Sequence, residues 1–318
     1  KSVDHQVVFM TTIYCGATSE SSQGFIHFVL SAFSAVNEEN MRDSTVLPDL
    51  RMLPTEALVP HEDCDPRRIE RLSQRIRQEG RLKNPPIVAP IPDTEQFVVL
   101  DGANRSTAFS TLGIPHIVAQ VVNYGDPGVV LDTWYHVVCN LPLEEFENAL
   151  TSVDNLRLET CSLEEARTAL ATNNAAAYIV CEQGVRKVCK PEGCEFRDMR
   201  ILNDIVGVYR GKADIFRASN DIWEKQKPYY PGITALVIFP QLRPADILQA
   251  ARDGERIPSG ITRHIIHQRA LNINIPLEVL NADWSLERKR QWLHDWLMER
   301  MAANAIRYYA ESTFSFDE

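Results

Sequence analysis

Short apolar runs that end at polar turns alternate along this chain with stretches whose apolar residues recur at helical spacing. The clearest run is Phe97-Val98-Val99-Leu100, rich in β-branched residues, which predicts a buried strand. The pattern breaks at Asp101-Gly102. It resumes through Arg105, Thr107, Ala108, Phe109 and Leu112 as a short helix that Gly113 is suited to end. Upstream, Asp65 suits an N-cap and Pro66 a first helical turn. Ile69, Leu72 and Ile76 then repeat at helical spacing as far as Gly80, with Arg67, Arg68, Arg71, Arg75 and Arg77 forming a solvated face. Ile87-Val88, entered through the extended Asn84-Pro85-Pro86, and His116 to Val122 predict two more strands.

The second half is patterned differently. Ser162 and Glu165 have capping-box spacing for a helix through about Leu170. Ala176 to Cys181 and Val185 to Cys189 flank Gln183-Gly184 and predict a hairpin. Ile201 to Val208 predicts a helix, Ile233 to Phe239 a strand, and Pro244 to Gly254 a helix. Ser285 to about Phe314 predicts one long helix, with a stripe of Trp292, Leu293, Trp296, Leu297, Met301, Ala305 and Tyr308. That stripe packs on the body or, as a second reading, makes a homodimer. Near the start, Val7 to Met10 suggests a strand and Gly24 to Val36 a helix, with no chemistry attached. These elements predict an α+β fold. It divides into an extension at 1–52, a first lobe at 53–140, a second α+β lobe at 141–280 and a C-terminal helix at 281–318.

Composition narrows the function. With 318 residues and 44% hydrophobic content, the chain can build one large domain or two modest ones. Asp and Glu number 43 against 33 Lys and Arg, a formal charge of −10 that argues against nucleic acid as a partner. The seven cysteines are scattered, which fits reduced thiols in a cytoplasm, and no second pair accompanies Cys189 and Cys194 to complete a zinc site. The run Phe25 to Val36 is short and interrupted by His27, so no membrane span is expected.

Four stretches carry candidate chemistry. A strand, tight turn and helix at Asp101-Gly102 point backbone N–H groups and the positive end of a helix dipole into one pocket, which suits a phosphate or carboxylate. Asp101 beside it would hold a metal, an ammonium group or a hydroxyl, or else simply cap the helix. Glu62-Asp63, in a loop after Pro60, offers a general base for a hydroxyl or, alternatively, a second capping acid. Trp134 and His136, two apart on a strand, would share a face; a core tryptophan beside a surface histidine is the plainer alternative. Ile257 to His264 reads as a flexible loop offering a hydroxyl, a guanidinium fork and an imidazole, a set suited to a terminal phosphate.

Together, His61-Glu62-Asp63, Leu82-Lys83-Asn84-Pro85-Pro86-Ile87-Val88 and Val99-Leu100-Asp101-Gly102-Ala103-Asn104-Arg105 resemble the ParB/sulfiredoxin superfamily, and Thr133-Trp134-Tyr135-His136 and Thr262-Arg263-His264 resemble later segments of one branch of it. Within it they look most like the free L-serine kinases, from about Leu53 to Leu280. The resemblance implies a ParB/sulfiredoxin-like nucleotide-binding lobe, closed over by the second lobe. It implies transfer of a phosphoryl group from ADP or ATP to free L-serine, giving O-phosphoserine, with Mg²⁺ carried on the nucleotide. Glu62 would be the base, with Asp63 as fallback, and Asp101 would hold the serine amine or hydroxyl. Asn84, Pro85, Gly102, Ala103, Asn104, Arg105, Thr262, Arg263 and His264 would contact the nucleotide. Leu100, Asp101, Trp134 and His136 would bound the serine pocket. One departure matters: the turn carries Ala103-Asn104 where those kinases usually have paired histidines. It leaves the donor nucleotide open and keeps a second reading, a non-catalytic nucleotide- or amino-acid-binding regulatory module. Ala103 also stands where sulfiredoxin has its cysteine, and the acidic charge disfavours a DNA-acting ParB relative.

Overall fold

The computed structural model describes residues 47–154, 156–190 and 199–309. The expected strand Val7–Met10, the helix Gly24–Val36, Cys15 and Cys194 lie outside the described residues. The fold is α+β, built on two sheets and two short ribbons.

The first part of the chain supplies β1 (Leu50–Pro54), β2 (Leu58–Pro60), β3 (Arg81–Leu82), β4 (Ile87–Pro90), β5 (Phe97–Asp101) and β6 (His116–Val121). Five of these form a sheet in the order β1-β6-β4-β5-β2, with β2 parallel to β5 and β4 parallel to β6. Helices α1 (Pro66–Glu79) and α2 (Ala103–Thr111) pack against each other. Asp65 caps α1 by accepting from the Arg67 amide, Pro66 fills the first turn, and left-handed Gly80 ends the helix.

Period-two alternation sends the residues of this sheet to two different cores. Val88 and Val99 join Phe109, Ile117 and Ile76. Ile87, Ala89, Val98 and Leu100 join Val138, Ile179 and Val237 of the second sheet. Both faces are therefore buried, which is why Phe97 to Leu100 is apolar at successive positions instead of alternating.

Next come β7 (Val129–Thr133), β8 (Tyr135–Cys139), β9 (Arg157–Cys161), β10 (Ala177–Cys181), β11 (Gly184–Cys189), β12 (Asp214–Ala218) and β13 (Ile233–Ile238). All but β7 form a six-stranded antiparallel sheet in the order β12-β8-β13-β10-β11-β9. Between and around the strands run α3 (Leu143–Thr151), α4 (Leu163–Ala171), α5 (Met199–Gly207), α6 (Trp223–Gln226) and α7 (Pro244–Asp253). The expected capping box at Ser162 and Glu165 is formed, and so is the β10–β11 hairpin. Phe146, Ile205 and Ile247 enter the core shared with the first sheet. Ala166, Leu170 and Trp223 cover the other face with Tyr178, Val180 and Leu236.

The chain then returns. β14 (Thr262–Ile266) pairs with β7, and β15 (Ile275–Pro276) pairs with β3. Helices α8 (Leu277–Asn281) and α9 (Leu286–Ala302) close onto the first sheet, where Leu280 and Leu293 are buried and Trp292, Trp296 and Leu297 pack beside them. Lys289, on the inner face of α9, is fully buried, and its Nζ donates to the Leu280 carbonyl at 2.7 Å and to His116 Nδ1 at 3.0 Å. The expected helix through Phe314 is shorter, and its last residues lie outside the described ones. Asn304 takes a left-handed backbone, and the amides of Asn304 and Ala305 turn back to the carbonyls of Met301 and Arg300. That closing motif ends α9 at Ala302 and leaves Tyr308 exposed. Among the described residues no helix is long and apolar enough to cross a membrane.

Candidate active site

β2 and β5 run parallel, so Glu62 and Asp101 leave the same end of the first sheet. Glu62 lies in the loop after β2, which pairs with Ile257: the Ile257 amide donates to the His61 carbonyl and the Asp63 amide to the Ile257 carbonyl. This pairing draws the segment before β14 across the loop. The Glu62 carboxylate then accepts three hydrogen bonds. Oε1 takes the Thr262 amide at 3.0 Å and the Thr262 hydroxyl, and Oε2 takes the Gly260 amide at 3.2 Å. Asp63 points elsewhere, to Arg210 at 2.7 Å.

Two imidazoles back this carboxylate. His61 is buried, with Nδ1 2.5 Å from the Val99 carbonyl and Nε2 2.8 Å from the Thr262 hydroxyl. His264 lies edge-on to it, 5.2 Å between ring centres, and its Nε2 is 2.7 Å from the Tyr124 hydroxyl. Burial, then the neighbouring His61, pushes the His264 pKa down to about 3, against the opposing pull of a bond to the Leu100 carbonyl. Burial also lowers the pKa of His61.

At the Asp101 turn, Gly102 has φ +90°, and a Cβ there would meet Pro86 Cα at 3.2 Å and Arg105 at 3.0 Å. Only glycine suits both the left-handed backbone and the close approach. Asp101 does not cap α2; it pairs with Arg269, and no side chain caps the helix. Arg105 donates to the Pro85 carbonyl at 3.1 Å, Asn104 accepts from the Asp65 amide at 3.0 Å, and Asn84 accepts from the Asn272 amide at 2.8 Å. The amides of Ala103, Asn104 and Arg105 meet no acceptor among the described residues. They form the open positive end of α2.

No protein-family model matches the chain. An ATP-dependent L-serine kinase of Staphylothermus marinus is 27% identical over 255 residues, which is 74% of this chain and 94% of that protein. The ATP-dependent L-serine kinase SbnI of Staphylococcus aureus is 22% identical over 269 residues, 85% of this chain and 97% of its own. The structure of C-terminally truncated SbnI superposes with a TM-score of 0.64 at 22% identity, over 79% of this chain and 97% of that one. A free serine kinase in complex with AMP superposes with a TM-score of 0.62 at 19% identity, over 76% and 97%. The chain has the free serine kinase fold.

Within this fold, two sequence expectations are corrected. Thr262, Arg263 and His264 do not lie in a flexible loop; they begin β14, held by pairing with β7. Strand alternation turns Thr262 and His264 toward Glu62 and His61 and sends Arg263 to the opposite face. There its guanidinium lies 4.2 Å over the Trp134 ring and 3.4 Å from Asp132. Trp134 and His136 do not share a strand, because the chain leaves β7 at Thr133 and enters β8 at Tyr135. The Trp134 amide bonds to the Ile261 carbonyl at the crossing.

His136 is buried behind the site. It contacts the Tyr209 hydroxyl at 2.8 Å, and the backbone of Gly260 and Ser259 lies close enough to oppose the effect of its burial. Burial takes its pKa down to about 4. It therefore supports the Gly260 backbone that holds Glu62. Sequence reasoning gave no individual role to His61, Tyr124, Arg269 or Arg217, whose guanidinium rests on Gly260. His61, directly before the candidate base, was the one signal available.

Proposed function

We propose that the protein is a free L-serine kinase that transfers the terminal phosphoryl group of ATP to the hydroxyl of free L-serine. One observation carries this reading. A glutamate at the end of one strand is gripped by three donors from a distant segment, beside a neighbouring strand end whose turn offers three open amides. A fixed carboxylate next to an anion-binding helix end is the pairing that in-line phosphoryl transfer to an alcohol calls for. Relatives over most of the chain are named ATP-dependent L-serine kinases, which favours ATP over ADP as the donor.

In this reading the open end of α2 at Ala103, Asn104 and Arg105 receives phosphate oxygens. Glu62 removes the serine hydroxyl proton as the oxygen attacks phosphorus. Asp101 holds the serine amine, Leu100 borders the pocket and His136 supports it from behind, whereas Trp134 lies under Arg263 on the other side of β14. Pairing with Arg210 leaves Asp63 less suited than Glu62 to act as base. Among the described residues no group of three or more His, Cys, Asp or Glu is arranged to hold a metal ion. In this reading magnesium is carried on the nucleotide phosphates.

The test is a product assay. The protein is incubated with L-serine, Mg²⁺ and either ATP or ADP, and O-phosphoserine is read by mass spectrometry. Product with ATP from the wild type, and far less from Glu62→Gln, supports the reading. Product with ADP alone changes the donor. Ligand-induced thermal stabilisation without product points to a binding module.

A further inference from the structure

The Thr262 hydroxyl stands between Glu62 and His61 and touches both. Three contacts therefore run in series: the Val99 carbonyl to His61 Nδ1, His61 Nε2 to Thr262 Oγ1, and Thr262 Oγ1 to Glu62 Oε1. A carbonyl only accepts, so Nδ1 carries a hydrogen. In a neutral imidazole Nε2 is then bare and must accept, and an ionised carboxylate also only accepts. The one hydroxyl proton of Thr262 faces two acceptors. At rest, three contacts share two protons, and the series is one proton short.

We propose that Glu62, Thr262 and His61 form a proton-accepting relay that takes up the hydroxyl proton of the substrate. This rests on the serine kinase reading. In the step, the serine O–H bond breaks and its electron pair forms the new bond to phosphorus. The phosphorus–oxygen bond to the nucleotide breaks, and those electrons leave on the nucleoside diphosphate. The proton passes to Glu62, protonated Glu62 donates to Thr262 Oγ1, Thr262 donates its own proton to the bare His61 Nε2, and every contact is then hydrogen-bonded. His61 touches no substrate; it is a positioning residue that works through Thr262.

The charged and titratable groups facing His61 are Glu62, Arg256 and His264. Burial and Arg256 hold the imidazole neutral at rest, while Glu62 favours its charging. His264 is no substitute acceptor, since it already bonds to Tyr124 and to the Leu100 carbonyl.

The experiment compares kcat/KM against pH for wild type, Thr262→Val and Thr262→Ser. It also follows the imidazole ¹⁵N signals of the full chain by NMR, with His61 assigned by its loss in His61→Asn. Thr262→Val keeps the shape and the backbone amide but cuts the series. It should lower kcat by roughly a hundredfold and shift the acid limb of the profile, because the carboxylate loses the hydroxyl with which it shares the proton. Thr262→Ser should restore the limb. The His61 signal should show hydrogen on Nδ1 at neutral pH, and its protonation step should move in Glu62→Gln and in Thr262→Val. An acid limb and a His61 step both unmoved by Thr262→Val would overturn the relay. Wild type that makes no O-phosphoserine while the His61 step still responds to Glu62→Gln overturns the kinase reading instead.

Discussion

The Asp101–Arg105 turn and the Glu62 junction sit at the ends of adjacent parallel strands, yet they are assembled in opposite ways. The turn is mostly local. Arg105 reaches back 20 residues to Pro85 and Asn104 reaches 39 to Asp65, while Arg269 is the distant partner. The junction depends on distant chain, since the donors to Glu62 come from 198 and 200 residues downstream and only the His61 contact to Val99, 38 residues on, is comparably short. A local turn can form with its own lobe, whereas the junction exists only once β14 has docked. The anion-binding half of the site is thus set by short-range geometry, and the basic half by long-range closure.

The sharpest way to break this contrast is at the junction. Glu62→Gln should lower turnover by about 10²–10⁴-fold while leaving nucleotide binding in place, as read by isothermal titration with ATP. Parallel losses of binding and turnover would mean that the two halves are not separable. On the other side, Phe109 is fully buried and anchors the helix behind the turn. Phe109→Ala should cost about 3–5 kcal/mol in a urea melt, and it should weaken nucleotide binding before it touches the pH profile.

The contrast also explains what was legible in the sequence. The strand through Leu100, the Asp-Gly break, the helix to Gly113, the Ser162 capping box and the β10–β11 hairpin all follow from residues within a few positions of one another. The pattern of β14 predicts a loop, because Pro258-Ser259-Gly260 precedes it and Thr-Arg-His opens it. Its extended state comes from pairing with β7, about 130 residues earlier in the chain. Trp134 reads as the middle of a strand, because nothing in Thr-Trp-Tyr-His marks a change of sheet. Glu62 and Thr262, 200 residues apart, meet in the fold, and His264 lies on the same face of β14 as Thr262. Their facing directions were not legible, since these depend on register.

Acid should act on the junction before the turn. His136 and His264 titrate at about 4 and about 3 instead of the ordinary 6.5. Their folded values are depressed, so as pH falls below 6.5 the unfolded chain takes up protons that the folded one does not. Stability should therefore drop from pH 6.5 toward pH 4, on the order of 1 kcal/mol per pH unit for each histidine. Urea midpoints at pH 7 and pH 5 would show it, and His136→Gln should flatten the slope. The smallest effect is expected at the turn itself. Asp101 and Arg269 are each well exposed, and Asp101→Asn should change stability by about 0–1 kcal/mol while it raises the KM for serine.

Lys289 offers a clock for one part of this architecture. Sealed on the inner face of the last helix and tied to Leu280 and His116, its amine is hidden from any reagent in solution. Acylating agents would modify the surface lysines first and reach Lys289 only when that helix lifts. Its modification half-time, followed by peptide mass mapping, would report how often the C-terminal closure comes undone while the rest of the molecule stays folded.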